Sequence, residues 1–226
     1  MWKRIELILL LLASAVFFIL GKNMSHMTNA ETISEKKQVI VIDAGHGGSD
    51  PGKVGVNQIL EKDINLKIAE KVKEGLEKKG FEVIMTREKD EMLGNTLTSN
   101  KKVSDMQKRV SIINKEKPEL AISIHQNSYS DASVSGAQTF YYAGSEKGGQ
   151  FAQVIQEKLW EIEDNKKRNP KENDSYYLLK HVESPMIIIE CGFLSNPDEA
   201  NRLVTEEYQD KISNAIVNGI ESCFMK

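Results

Sequence analysis

Four residues of the 226-residue chain have the types and surroundings for hydrolytic chemistry: His46, Glu61, His125 and Glu190. His46 lies in Val41-Ile42-Asp43-Ala44-Gly45-His46-Gly47-Gly48, where an apolar run breaks into glycines. Glycines beside a histidine remove bulk and let the backbone approach a ligand or metal closely. His125 follows Leu120-Ala121-Ile122-Ser123-Ile124, and Glu190 follows Met186-Ile187-Ile188-Ile189, so three apolar runs each end in a titratable side chain. Two neutral imidazoles and a carboxylate are a standard three-ligand set for catalytic Zn²⁺, with a fourth position left for water. The spacing His46-x14-Glu61-x63-His125 matches no short helical zinc motif such as HExxH. The reading therefore rests on each residue standing where an element begins or ends. The plainer alternatives are packing or hydrogen-bonding histidines and, for Glu61, the attraction of any helix N-terminus for a carboxylate.

Glu190 leaves a buried run and needs a partner, a charge or a proton. Beside a bound cation it is a candidate general base; the alternative is a structural ion pair. Asp43 is a candidate supporting residue that holds a histidine in its tautomer, against the simpler job of capping loop amides. Cys191 invites a rival reading as nucleophile with His125 as base. Successive side chains on a strand point to opposite faces, so a site-facing Glu190 sends Cys191 into the core. The segment Gly47-x4-Gly52-Lys53-Val54 imitates a phosphate loop but fails it chemically. Val54 has no hydroxyl for Mg²⁺, Asp50 puts an anion in the cradle and Pro51 has no N–H to donate.

The elements that must position these residues follow from periodicity. Strands are expected at Gln38–Ala44, Phe81–Thr86, Glu119–Ile124, Gln138–Tyr142 and Met186–Glu190. Helices are expected at Glu61–Lys79, Lys102–Lys115, Glu146–Glu163 and Glu199–Phe224, with stripes such as Ile64, Ile68, Val72 and Leu76. Residues 88–101 and 165–174 read as polar loop. Short apolar strands with helical crossovers predict an α/β fold, a mostly parallel central sheet flanked by helices on both faces. In such sheets ligands bind at the carboxyl edge.

The amino terminus has Lys3 and Arg4 before an apolar stretch from Leu7 to Leu20. A basic flank and an apolar core read as a signal anchor over residues 1–21 that holds the chain to a membrane, or as a cleaved signal. Residues 22–36 read as a linker and 37–226 as the catalytic domain. Either export reading places that domain outside the cytoplasm. Net charge is -3 and the pI about 5.9, and the one short basic run is Lys166-Lys167-Arg168, so nucleic acid is excluded as a partner. Two cysteines, Cys191 and Cys223, are too few for a disulfide scaffold.

The glycine–histidine motif with Asp50-Pro51-Gly52, then Glu61, then Ser123-Ile124-His125-Gln126-Asn127, then Glu190-Cys191-Gly192-Phe193-Leu194-Ser195-Asn196 resembles the zinc-dependent N-acetylmuramoyl-L-alanine amidases of the amidase_3 type. The likeness spans roughly residues 38–222. It implies that His46, Glu61 and His125 ligate one Zn²⁺ and that Glu190 acts in catalysis; Arg87 fits the family's Thr-Arg strand ending as a supporting residue. The implied reaction is hydrolysis of the amide between the D-lactyl group of N-acetylmuramic acid and L-alanine. Peptidoglycan glycan strands with stem peptides are the implied substrate. The chain carries no wall-binding repeats, and only residues 88–101 are available for a blocking insert. A minimal domain behind an anchor is most similar to the germination-specific CwlD group of endospore formers, which strips peptides from spore cortex so that muramic-δ-lactam can form. The space between forespore and mother-cell membranes is then the expected location, and an activating partner protein is compatible with so small a domain. Two alternatives stay open: another α/β zinc peptidase, and a non-catalytic wall-binding domain.

Overall fold

Three apolar runs form the centre of one sheet. In the computed structural model, which describes residues 37–162 and 166–225 together with Trp2, Ser14, Val16 and Phe18, they are β1 (Val39–Ala44), β3 (Leu120–Asn127) and β6 (Met186–Phe193). With β2 (Glu82–Met85), β4 (Gln138–Tyr142) and β5 (Lys171–Asn173) they make a six-stranded sheet of order β2-β1-β3-β6-β4-β5. The pairs β1–β2, β1–β3, β3–β6 and β4–β5 are parallel, and only β4–β6 is antiparallel. The sheet is thus mostly parallel, as the sequence pattern requires. Residues Gln38–Lys226 form one compact unit.

Strand alternation sorts the side chains into two cores. Ile40, Ile42 and Ala44, Leu120, Ile122 and Ile124, and Ile187, Ile189 and Cys191 pack on one face. That face is covered by α1 (Glu61–Lys78), α3 (Glu146–Leu159), α5 (Pro197–Leu203) and α6 (Glu206–Phe224). Val41, Ala121, Met186 and Ile188 pack on the other, against Ile113 of α2 (Lys101–Glu116) and Leu178 and Leu179 of α4 (Tyr177–His181). Helices therefore lie on both faces of the sheet.

The periodicity finds the main helices within a few residues, and four details differ. The expected final helix is two, broken at Val204 and Thr205, because the Thr205 side chain accepts from the amide of Tyr208 and caps a new start. α3 stops at Leu159 rather than continuing to residue 163. Part of the segment read as polar loop is edge strand β5, which a three-residue polar sequence does not announce. β3 and β6 do not end at His125 and Glu190 but run on to Asn127 and Phe193. The pairing continues past them through a register shift in which β6 carries one extra residue, so His125 and Glu190 are register partners inside the sheet. Among the described residues no helix is long and apolar enough to cross a membrane. The expected anchor and linker lie almost wholly outside those residues.

One buried ion pair ties β1 to α2. Arg109, 1% exposed, donates from Nη1 to Asp43 Oδ1 at 2.6 Å and from Nε to Asp105 Oδ2 at 2.7 Å. Thr86 Oγ1 and Ser123 Oγ complete the Asp43 shell at 2.7 and 2.6 Å. Burial alone would raise the Asp43 pKa; the Arg109 guanidinium and the two hydroxyls outweigh it and bring it down to about 2. Removing one partner of such a pair strands the other charge. Arg109→Met should therefore cost about 3–5 kcal/mol in urea unfolding. A loss under about 1 kcal/mol, the range of an exposed pair, would show that the pair is solvated.

Candidate metal centre and active site

The site is built on the loop between β1 and α1. His46 adopts φ 60°, a left-handed conformation that is uncommon outside glycine and needs support from its surroundings. The support is a ring of carbonyl contacts. Arg109 donates to the carbonyls of Ala44 and His46 at 2.8 and 2.6 Å. Arg87, also buried, donates to those of Ala44, Gly45, Lys62 and Lys89. Inside the turn, Gly47 and Asp50 exchange backbone bonds of 3.0 and 3.1 Å.

Glu61, the first residue of α1, projects between two imidazoles. Its Oε2 lies 3.2 Å from His46 Nε2, and its Oε1 lies 2.9 Å from His125 Nδ1. The ligand atoms of the three residues fall within 4.8 Å of one another. Two glycines make this convergence possible. A Cβ on Gly45 would stand 2.2 Å from the His125 ring, and one on Gly52 would stand 2.5 Å from Glu61 Oε2. The Glu61 carboxylate also accepts from the amides of Lys53 and Gln126 at 2.7 and 3.1 Å. Burial alone would raise its pKa; hydrogen bonds from His125 and His46 prevail and hold it far below the usual carboxylate range. The same contact with Glu61 outweighs burial at His125 and raises that imidazole's pKa. A carboxylate held ionised between two imidazoles is a donor set chemically suited to Zn²⁺, whose charge the site balances.

Asp43 does not reach a histidine through the hydrogen bonds the structure gives it; those go to Thr86, Ser123 and Arg109. Besides Glu61, the carboxylate that reaches a histidine is Asp50, whose Oδ2 is 2.9 Å from His46 Nδ1. Lys102 Nζ binds the other Asp50 oxygen at 3.0 Å. Sequence reasoning passed over Asp50, although its place four residues after His46 in a glycine loop was the available signal.

Glu190 faces the centre from β6. It is 8% exposed, and its Oε2 is buried without a hydrogen-bond partner. Burial pushes its pKa up to about 7, partly offset by the nearby His125. Cys191 points to the opposite core, fully buried, and burial pushes its thiol far above the ordinary value. The nucleophile reading fails on both counts. Cys223 is also a free thiol.

Two clefts meet at this point. One, of about 250 Å³, is largely apolar and includes Met106, Leu178 and Ile188 among its walls. The other, of about 400 Å³, is polar and includes Lys53, Gln126, Asn127 and Ser128. His46, Lys102, His125, Tyr176 and Glu190 line both.

A parallel-sheet fold with a His–Glu–His cluster and a lone buried carboxylate at an open double cleft is the framework of a hydrolase acting on an extended substrate. Residues 40–222 match the family model Amidase_3, N-acetylmuramoyl-L-alanine amidase, and the chain belongs to that family. It is 42% identical over 186 residues to the germination-specific N-acetylmuramoyl-L-alanine amidase of Bacillus subtilis, covering 81% of this chain and 78% of that one. The CwlD amidase of Clostridioides difficile, solved in complex with the GerS lipoprotein, superposes with a TM-score of 0.80 at 39% identity. That comparison covers 83% of this chain and 98% of the other. The uncharacterised Bacillus subtilis protein YqiI is 37% identical over 198 residues, covering 86% of this chain and 88% of that one.

Glu190 makes stability depend on pH with a definite sign. Its folded-state pKa of about 7 lies above the ordinary 4.5, so between these values the folded state keeps a proton that the unfolded chain has released. Stability falls as pH rises through that window, and the penalty is complete above it. With metal removed by chelation, Glu190→Gln escapes the penalty. From about pH 5 to about pH 8, the difference in unfolding free energy should move in the variant's favour by roughly 1–3 kcal/mol. A difference that stays flat across that range would mean that the carboxylate is hydrated.

Proposed function

We propose that this amidase hydrolyses the bond between the D-lactyl group of N-acetylmuramic acid and L-alanine using one Zn²⁺ held by His46, Glu61 and His125, with Glu190 as general base. The observation that carries the reading is the unpartnered Oε2 of Glu190, buried on the strand beside His125. Zinc, when bound, polarises the amide carbonyl and makes water acidic enough to lose a proton near neutral pH. Glu190 accepts that proton as the water oxygen bonds to the carbonyl carbon. It then returns the proton to the leaving nitrogen as the carbon–nitrogen bond breaks. The products are a lactyl carboxylate on the glycan and a stem peptide with a free L-alanine amine. His46 and His125 contribute ring nitrogens, Asp50 orients His46, and Arg87 and Arg109 hold the loop that carries it.

The place of action in this reading is spore cortex peptidoglycan, where removal of the peptide allows muramic-δ-lactam to form. Its support is the likeness to the germination-specific amidase and the CwlD amidase. We also infer that residues 1–21 anchor the chain, that residues 22–36 tether the domain, and that the domain works outside the cytoplasm in the space between forespore and mother-cell membranes. Lys3 and Arg4 ahead of the apolar run would keep the amino terminus in the cytosol. A partner protein that favours the metal-competent state would raise zinc affinity by linkage; the support for a partner of any kind is that the CwlD amidase of Clostridioides difficile is solved in complex with the GerS lipoprotein.

Metal analysis after equilibration with limiting Zn²⁺ tests the ligand set. Wild type should hold about one ion per chain, and His46→Ala and His125→Ala should lose most of it, because each removes one of three protein ligands. Gly45→Ala changes no ligand yet should weaken binding as well, since its methyl group would displace the His125 ring. Equal zinc content across the four proteins would remove this site from consideration.

Glu190→Gln separates the readings of the chemistry. It should keep its zinc and lose roughly 10²–10⁴-fold in kcat on glycan strands carrying stem peptides, with new L-alanine amino termini counted by mass spectrometry. KM should change much less, because the lost interaction belongs to the transition state. New termini within the peptide would point to a zinc peptidase instead, and no cleavage by the zinc-loaded wild type would point to a binding domain.

A further inference from the structure

The substrate is an anionic polymer, whereas the two clefts are rich in carboxylates. Asp43, Asp50, Asp105 and Glu190 line one or both, and Glu61 lines the polar one. The chain as a whole carries a formal charge of -3. An acidic protein that takes up an acidic substrate needs a local cation where the substrate's charge comes to rest. Three cations line the clefts: Arg109, Lys53 and Lys102. Arg109 is 1% exposed and is engaged by Asp43, Asp105 and two carbonyls. Lys53 lines only the polar cleft. Lys102 lines both, beside His46, His125 and Glu190, where the scissile amide must lie.

The position of the Lys102 head group is fixed on one side and open on the other. Nζ lies 3.0 Å from Asp50 Oδ1, and Asp50 is in turn 2.9 Å from His46, so the ammonium group stands one carboxylate away from the proposed metal ligand. The Asp50 side chain is 14% exposed while that of Lys102 is 73% exposed. One of the three ammonium donors is used by Asp50, and the head group still faces solvent at the junction of the clefts. On the apolar side, Met106 lies on the same helix, and Leu178 and Ile188 add walls that suit a peptide backbone and small side chains better than a hydroxyl-covered sugar.

Resting on the amidase reading, we propose that Lys102 is a specificity-determining residue that binds the first free carboxylate of the stem peptide, with the peptide in the apolar cleft and the glycan in the polar one. In a stem peptide whose second residue is glutamate joined through its side-chain carboxyl, that group is the α-carboxylate one residue beyond the scissile L-alanine. A long lysine arm spans that separation. The polar cleft, with Gln126, Asn127 and Ser128, offers amide and hydroxyl partners to sugar hydroxyl and acetamido groups.

The test uses two soluble muropeptides that differ in one group, the second-residue α-carboxylate or its amide, cleaved by the zinc-loaded protein. Wild type should prefer the acid by about 2–5-fold in kcat/KM, the worth of one exposed ion pair. The preference should lie in KM and shrink with added salt. Lys102→Gln should bring the ratio near one, Lys102→Arg should restore most of it, and Lys53→Gln should leave it as in wild type. A wild-type ratio near one, or a ratio that collapses in Lys53→Gln rather than Lys102→Gln, would overturn the assignment. Zinc affinity measured in the same variants separates a structural role. Lys102→Gln that loses zinc while keeping its acid preference would show that the lysine serves only to hold Asp50. Failure of wild type to cut the lactyl–alanine bond in either substrate would instead overturn the amidase reading itself, and this assignment with it.

Discussion

Arg109 is a buried cation on α2 whose donors converge on the end of β1. Nη1 holds the Asp43 side chain and the Ala44 carbonyl, Nη2 holds the His46 carbonyl, and Nε holds Asp105. Asp105 in turn accepts from the amides of Leu93 and Gly94, so the loop after β2 is fastened to the same point. A guanidinium suits this task because its five donors lie in a rigid plane and stay charged when buried. An isolated buried carboxylate or arginine is expensive, and each is tolerable here only because the other is present. Through this network the sheet, α2 and the glycine loop share one anchor, and His46 sits at its end in a backbone conformation that it would not adopt unaided.

The centre sets opposite conditions for two carboxylates that line the same polar cleft. Glu61 is surrounded by donors, two imidazoles and two backbone amides, and stays ionised. Glu190 has burial without donors and is driven toward the neutral form. One environment favours a fixed anionic ligand and the other a group able to take and return a proton near neutral pH. The surroundings create the difference. Glu61 accepts from the loop amide of Lys53 and from the Gln126 amide at the register shift between β3 and β6, whereas no donor reaches Glu190 Oε2. An unpaired buried acid lowers the stability of the fold, which is the usual cost of a reactive group held away from water.

Much of this was legible in the sequence, for reasons that can be traced residue by residue. Apolar runs such as Val39–Ile42 and Met186–Ile189 can hardly be anything but buried strands, and period two then places Asp43, His125 and Glu190 on one face and Cys191 on the other. Glycines beside His46 announced a close approach, and the structure shows what approaches: the His125 ring at Gly45 and Glu61 at Gly52. What escaped was tertiary. Nothing local marks Arg109 as buried, since it shares a helix with several exposed lysines and differs only in what lies across from it. A carboxylate partner for a histidine is expected from the sequence at Asp43, at the end of the strand. It lies in the loop, at Asp50, where the hairpin bonds between Gly47 and Asp50 fold the chain back on itself. Tyr176 comes from a segment with no periodic signal, positioned by the Asn173 side chain accepting its amide and by Phe140 against its ring.

The continuation of β3 and β6 beyond His125 and Glu190 changes the meaning of the site. Side chains at the free ends of strands would be held by loops and would move with them. Register partners inside a parallel pair are held by the ladder, and the extra residue of β6 shifts the register only beyond the His125–Glu190 pair. The loop that carries His46 and Asp50 is fixed by Arg87 and Arg109 through the carbonyls of Ala44, Gly45 and His46. Backbone anchoring leaves the orientation of the imidazole to its side-chain partners, Asp50 at Nδ1 and Glu61 at Nε2. A centre assembled from two rigid strand positions, one helix start and one clamped loop keeps its shape with few residues, which is how a single domain of this size brings His46, Glu61, His125 and Glu190 together at a double cleft.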